Sequence, residues 1–170
     1  SAPKNLIILR HGQAKTAAIT DHDHSRNLTL RGREDAFAVG ETLAENGFQP
    51  DYILCSTAVR TRETLEELQK SFADPIKIDY LPKIYNASEA DLLLQIASVP
   101  DSVSTLLIIG HNPALYQVSL ALAKDGDKQM HNNLQMQFPT CALVVINFEG
   151  SWKDISNSRS KLVFFTVPKR

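Results

Sequence analysis

Three short stretches hold residues able to do chemistry. Arg10 and His11 follow the aliphatic run Leu6–Leu9 and precede Gly12. The segment C-S-T-A-V-R-T-R runs from Cys55 to Arg62, and His111 and Asn112 stand in G-H-N-P after Leu106–Ile109. An arginine presents a fork of N–H donors matched to phosphate oxygens and stays charged at any working pH. A neutral histidine nitrogen is a nucleophile near pH 7, and imidazole is also a tolerable leaving group. Two arginines, a nucleophilic histidine and a second histidine form a set able to transfer a phosphoryl group without a metal. No metal and no organic cofactor is expected.

The elements between these stretches say how they could meet. Leu6–Leu9, Tyr52–Cys55 and Leu106–Ile109 read as buried strands. Ile76–Leu81 alternates apolar and polar residues, as a strand nearer an edge does, and Cys141–Phe148 and Leu162–Val167 close the chain as strands. Thr29 can cap a helix running to Gly47, with Ala36, Phe37, Gly40, Leu43 and Ala44 along its inner face. A second helix covers Val59 to Phe72. Ser88 and Asp91 resemble a capping box opening a third, through Ser98. Pro113 suits the first turn of a fourth, to Ala123, and 124–140 reads as a polar loop. Nearly all-aliphatic strands alternating with helices predict a three-layer α/β/α fold with a mainly parallel central sheet, in one domain spanning 1–170. Ligands of such sheets gather beyond the carboxyl ends of the strands, where all three stretches fall.

Composition excludes several classes. A net charge of -1, with no basic run, gives no field for nucleic acid or an anionic membrane. No apolar stretch approaches the roughly 20 residues needed to span a bilayer, and the start of the chain lacks the pattern of a signal peptide. Cys55 and Cys141 lie in apolar, strand-like runs, as reduced core thiols do, so a cytoplasmic setting is expected.

With these residues in view, the chain resembles the histidine phosphatase superfamily, the phosphoglycerate mutase-like fold. The carriers are L-x-R-H-G near the start, C-S-T-A-V-R-T-R-E-T in the middle and G-H-N-P later, in that order and each after an aliphatic strand. Within that superfamily, R-N-L-T-L-R-G, K-I-Y-N-A and the short length are most similar to SixA-type phosphohistidine phosphatases. The resemblance implies His11 as nucleophile, through a phosphohistidine intermediate, with Arg10 and Arg60 gripping the phosphoryl oxygens. It implies His111 as a second, protonated contact that steadies the transition state. Arg26, Gly12 and Asn112 are implied substrate contacts, Gly12 by letting the backbone approach the ligand. Asn27 stands where such proteins usually have proline, which would loosen the loop before Thr29.

Many members of the superfamily protonate the leaving alcohol with a carboxylic acid after a middle strand. Here no carboxylate directly follows Tyr85; Glu89 and Asp91 fit a helix start, and Asp21 and Asp23 are substitutes in the loop after His11. An acid-poor site suits phosphoramidates, because a phosphorylated imidazole already protonated on its other nitrogen leaves as neutral imidazole. The expected activity is hydrolysis of phosphohistidine on a signalling or phosphotransfer protein domain, with phosphate or vanadate able to occupy the site. The alternatives are a small-molecule phosphomonoesterase on the same fold and a non-catalytic phosphate-binding module.

Other residues read as structural. Arg62 reads as peripheral, Arg31 and Arg33 as solvated, His22 and His24 as a polar loop, His131 as surface and Trp152 as packing. Cysteine-dependent phosphatases place five residues between Cys and Arg; Cys55 and Arg60 have four, so Cys55 reads as a buried thiol.

Overall fold

The computed structural model describes residues 3–18 and 22–169. Its seven strands are β1 (Pro3–Arg10), β2 (Tyr52–Ser56), β3 (Lys77–Leu81), β4 (Thr105–Gly110), β5 (Asp125–Gly126), β6 (Leu143–Glu149) and β7 (Lys161–Thr166). The six α-helices are α1 (Leu30–Glu45), α2 (Val59–Leu68), α3 (Pro82–Tyr85), α4 (Glu89–Ala97), α5 (Ala114–Leu122) and α6 (Lys128–Met136). One sheet takes the order β3-β2-β4-β1-β6-β7-β5. The β3-β2-β4-β1 half is wholly parallel, whereas β6 runs antiparallel to both β1 and β7. The sheet is therefore mainly parallel, and β3 lies at an edge, as its alternation predicts.

The unbroken aliphatic strands follow from burial on both faces. Leu6 and Ile8 of β1 join Leu106 and Ile108 of β4 in a core under α4, α5 and Trp152. Ile7 and Leu9 join Leu107 and Ile109 in a second core under α1 and α2. Trp152 is fully buried, in line with a packing role. Among the described residues, no helix is long and apolar enough to cross a membrane.

Local signals place the helix starts. The Thr29 hydroxyl accepts from the Gly32 N–H at 3.0 Å to cap α1, and Ser88 with Asp91 forms a complete capping box on α4. The inner face of α1 is rotated from the expected one: Gly32, Ala36, Val39, Gly40 and Leu43 are buried, while Phe37 and Ala44 face outward. A close crossing sets this rotation, since a Cβ on Gly40 would lie 2.2 Å from the Leu68 carbonyl oxygen. The α2 helix ends at Leu68 and continues as a 3-10 turn over Gln69–Ser71.

Other boundaries also differ. Pro113 precedes α5 as its cap, after a cis peptide bond, instead of sitting in the first turn. The segment expected as a loop holds β5 and α6; α6 is mostly polar and buries Leu134 alone, so its composition resembles that of a loop although its few apolar residues share one face. The strand expected from Cys141 starts at Leu143. Cys141 itself adopts a left-handed backbone, φ 58°. Its N–H thereby reaches the carbonyls of Arg10 and His11 at 3.1 and 3.0 Å, pinning the end of β1. Arg33 is not merely solvated: it pairs with Glu63 at 2.7 Å and Glu67 at 3.1 Å, joining α1 to α2.

Candidate active site

The parallel register assembles the site. Arg10 lies level with Gly110, Cys55 with Ile109, and Ser56 with Leu81. Four adjacent strand ends thus deliver Arg10 and His11, Ser56 and the start of α2, His111, and the short helix α3. Arg10, His11, Arg60 and His111 come together, as the sequence predicts.

His11 is 7% exposed, and its Nδ1–H donates to the Gly12 carbonyl at 2.7 Å. A carbonyl can only accept, so the proton sits on Nδ1 and the lone pair on Nε2. Burial, with His111, Arg60 and Arg10 nearby, pushes the His11 pKa down to about 3. At neutral pH the imidazole is therefore an uncharged nucleophile held in one tautomer. The rings of His11 and His111 lie 5.3 Å apart.

Each arginine is anchored by its outer nitrogens. Arg10 donates through Nη1 to the Phe138 carbonyl at 3.1 Å. Arg60, 6% exposed, donates through Nη1 to the Asp23 carbonyl at 2.9 Å and through Nη2 to the Asp23 carboxylate at 3.1 Å. The Nε atoms of both arginines and Nδ1 of His111 are buried without a partner. Burial and neighbouring Arg60 lower the Arg10 pKa from its ordinary value, as expected of two cations held close without an anion between them. Buried, unpaired polar groups are costly, and the two arginine Nε–H groups are donors of the kind that pairs with anionic oxygens.

His111 departs from expectation. Burial and Arg60 push its pKa down to about 4, so in the ligand-free protein it is neutral, not protonated. Its Nε2 lies 2.7 Å from the Ser56 hydroxyl, which accepts from the Ala58 N–H at 3.3 Å. A hydroxyl oxygen has two acceptor lone pairs, so the Ala58 contact leaves Ser56 able either to donate to Nε2 or to accept from it. His111 Nδ1 is correspondingly a donor or an acceptor toward a ligand.

The remaining candidates are placed differently. Gly12 packs tightly against the protein: a Cβ there would sit 2.7 Å from the Gly32 carbonyl oxygen, and one on Gly32 would sit 2.3 Å from the Gln13 oxygen. The Gly12 N–H donates to Thr64 Oγ1 at 2.9 Å, one turn along α2 from Arg60. Asn112 turns its Nδ2 to the Phe138 carbonyl at 3.0 Å, beside the Arg10 anchor, and its buried Oδ1 has no partner among the described residues. Arg26 donates to the Asp23 carboxylate at 2.9 Å and to the Lys15 carbonyl at 3.1 Å, bracing the loop. Asn27 does not loosen that loop. Its Nδ2 and the Leu28 N–H both donate to Glu63, at 3.0 and 2.7 Å.

Asp23 is the carboxylate that reaches the site. It accepts from Arg60, Arg26 and the Tyr85 hydroxyl, and these hold its pKa at about 2, Tyr85 contributing most. Such a group is ionised at neutral pH in the ligand-free protein. Glu89 lies in the first turn of α4, beside the capping box, and Asp21 is outside the described residues. Cys55 is fully buried with its pKa pushed up to about 12 by burial, which removes it as a nucleophile.

Tyr85, Ser56, Thr64 and Phe138 also shape the site. K-I-Y-N drew attention to Tyr85 only as a place lacking an acid. The carbonyl of Phe138 has no sequence signature, but Thr64 has one, four residues after Arg60. His24 is tied to Thr57 at 2.9 Å, and its ring lies 4.9 Å from that of Tyr85.

The profile of the histidine phosphatase superfamily (branch 1) matches residues 6–83. An uncharacterized protein of Mycobacterium leprae is 32% identical, with 95% of this chain and 100% of that protein covered. The chain belongs to the histidine phosphatase superfamily. Two solved structures are similar along this histidine phosphatase's whole length, both provisionally named as phosphohistidine phosphatase SixA. The one from Agrobacterium tumefaciens is 31% identical with a TM-score of 0.84, covering 99% of this chain and 100% of that one. The one from Nakamurella multipartitia is 27% identical with a TM-score of 0.87, covering 99% and 98%.

Proposed function

We propose that this phosphatase hydrolyses phosphohistidine on a protein through a phospho-His11 intermediate. The carrying observation is the arrangement of charges and protons: a nucleophile with its lone pair on Nε2, two buried arginine Nε donors without partners among the described residues, and a carboxylate, Asp23, held ionised on Arg60. In the first step His11 Nε2 attacks phosphorus while Arg10, Arg60 and His111 take up charge on the phosphoryl oxygens. The leaving imidazole departs neutral because its other nitrogen already carries a proton. Water then attacks phosphorus and releases His11 with its proton still on Nδ1. No step calls on a metal or an organic cofactor.

Support for a protein-borne substrate comes from the similar solved structures provisionally named as phosphohistidine phosphatase SixA. A phosphorylated signalling or phosphotransfer domain in the cytoplasm, where Cys55 and Cys141 stay reduced, is the setting we infer. The test compares kcat/KM for a phosphohistidine-bearing protein domain with a panel of phosphomonoesters, using His11→Ala as control. A large, His11-dependent preference for phosphohistidine is expected. Preference for a small ester would replace the substrate assignment with a phosphomonoesterase, and no turnover of either would favour a phosphate-binding module.

A further inference from the structure

The Asp23 carboxylate poses a problem for any phosphatase. A negative group hydrogen-bonded to a phosphate-gripping arginine repels an incoming dianion, yet three donors hold it there. The geometry resolves this by sides. Both Nη atoms of Arg60 point to Asp23, while its buried Nε is unpaired. The Arg60 side chain is 7% exposed and that of Asp23 is 55% exposed. Asp23 thus stands on the solvent side of the cradle, where a leaving group departs. The rings of His11, His111, Tyr85 and His24 follow one another toward the same mouth, with centroids 5.3, 5.4 and 4.9 Å apart.

Acceptor capacity supports a further contact. A carboxylate offers about four lone-pair positions. Among the described residues, Oδ2 accepts from Arg60 and Tyr85, and Oδ1 accepts from Arg26. One position on Oδ1 remains for a ligand.

We infer that Asp23 selects the leaving group: it accepts a hydrogen bond from the N–H of the phosphorylated imidazole, on the ring nitrogen remote from phosphorus. This rests on the phosphohistidine reading above and adds a specificity-determining residue to it. The P–N bond breaks as the P–Nε2 bond to His11 forms, and the bonding pair returns to the departing nitrogen. The proton held by Asp23 stays on the other nitrogen, so neutral imidazole leaves. An alcohol ester offers no such proton and meets a carboxylate that can only accept.

Among the described residues, the groups facing Asp23 are Arg60 from α2, Arg26 from its own loop, Tyr85 from α3, and His111 from the end of β4. An ordinary imidazole titrates near 6.5, and an opposite charge at hydrogen-bond range moves such a group by about one unit or more. Asp23 therefore keeps the reactive, protonated substrate populated about tenfold more at pH 8.

The experiment measures kcat/KM from pH 5.5 to 9 for a phosphohistidine peptide and for para-nitrophenyl phosphate, in wild type and Asp23→Asn. The phosphohistidine-to-ester ratio is expected to fall about tenfold at pH 8 in Asp23→Asn, and its alkaline limb to begin about one unit lower. The wild-type pH profile is a second reading that needs no variant: its phosphohistidine rate should hold above the pH at which the free peptide loses its ring proton. A parallel loss on both substrates would show Asp23 merely bracing Arg60 and overturn the inference. A wild type that favours the ester would instead overturn the substrate assignment, and this inference with it.

Discussion

Acidification from pH 8 to pH 5 should weaken the fold chiefly through two buried histidines. His11 titrates near 3 and His111 near 4 in the folded chain, against 6.5 for an ordinary histidine. Between those values the unfolded chain binds protons that the folded chain refuses, so stability is complete above 6.5 and falls as pH drops toward 4 and 3. At pH 5 each histidine forfeits roughly 1.5 units, about 2 kcal/mol, and the pair about 4 kcal/mol. That is a large share of the 5–15 kcal/mol typical of a folded domain, roughly speaking. Asp23 adds nothing in this window, since its folded pKa of about 2 lies below the ordinary 3.8 and its contribution is lost only as pH falls below that value. Urea unfolding in phosphate-free buffer at pH 8 and 5 measures the effect. His11→Asn removes one histidine while all other groups titrate as before. With a urea slope of about 2 kcal/mol per molar, its midpoint should fall about 1 M less than the wild-type midpoint over the same interval. Equal falls in both proteins would refute the claim that buried His11 is held neutral.

Gly32→Ala places a methyl against the Gln13 backbone and pushes on the segment carrying His11; it should cost about 1–3 kcal/mol in urea unfolding and lower kcat together with stability. Cys55→Ala should retain turnover in a chromogenic phosphatase assay, because a buried thiol with its pKa near 12 supplies no nucleophile. Tyr85→Phe removes the largest cause of the low Asp23 pKa, so an NMR titration should find that carboxylate moved upward from about 2. Vanadate, which mimics five-coordinate phosphorus, should inhibit turnover of para-nitrophenyl phosphate competitively, and its binding, read by calorimetry, should be lost in Arg60→Ala.

Much of this architecture is legible in the chain because its causes are local or two-sided. Leu6–Leu9 and Leu106–Ile109 are unbroken aliphatic runs since both sheet faces are covered, and the parallel register then places their ends side by side. Arg10, His11, Arg60 and His111 stand out because charged and titratable residues at buried strand ends need a reason. What the chain does not announce depends on distant backbone. The phase of α1 is set where Gly40 meets the Leu68 carbonyl, which turns Phe37 outward against its hydropathy. The α6 helix is mostly polar and buries one residue, so its composition hides its one-sided apolar face. Anchoring of Arg10 and Asn112 on the Phe138 carbonyl, and of Arg60 on Asp23, joins residues far apart in sequence through groups without a motif. The neutral state of His111 likewise follows from burial beside Arg60, which no spacing reveals.

The central claim is a phosphoryl group carried on His11 during turnover. Rapid quench of the wild-type protein with a phosphohistidine peptide, followed by mass spectrometry under alkaline conditions that preserve phosphohistidine, tests it most directly. The account predicts a phosphorylated peptide bearing His11, absent from His11→Ala. Phosphate found on another residue, or turnover persisting in His11→Ala, would contradict it.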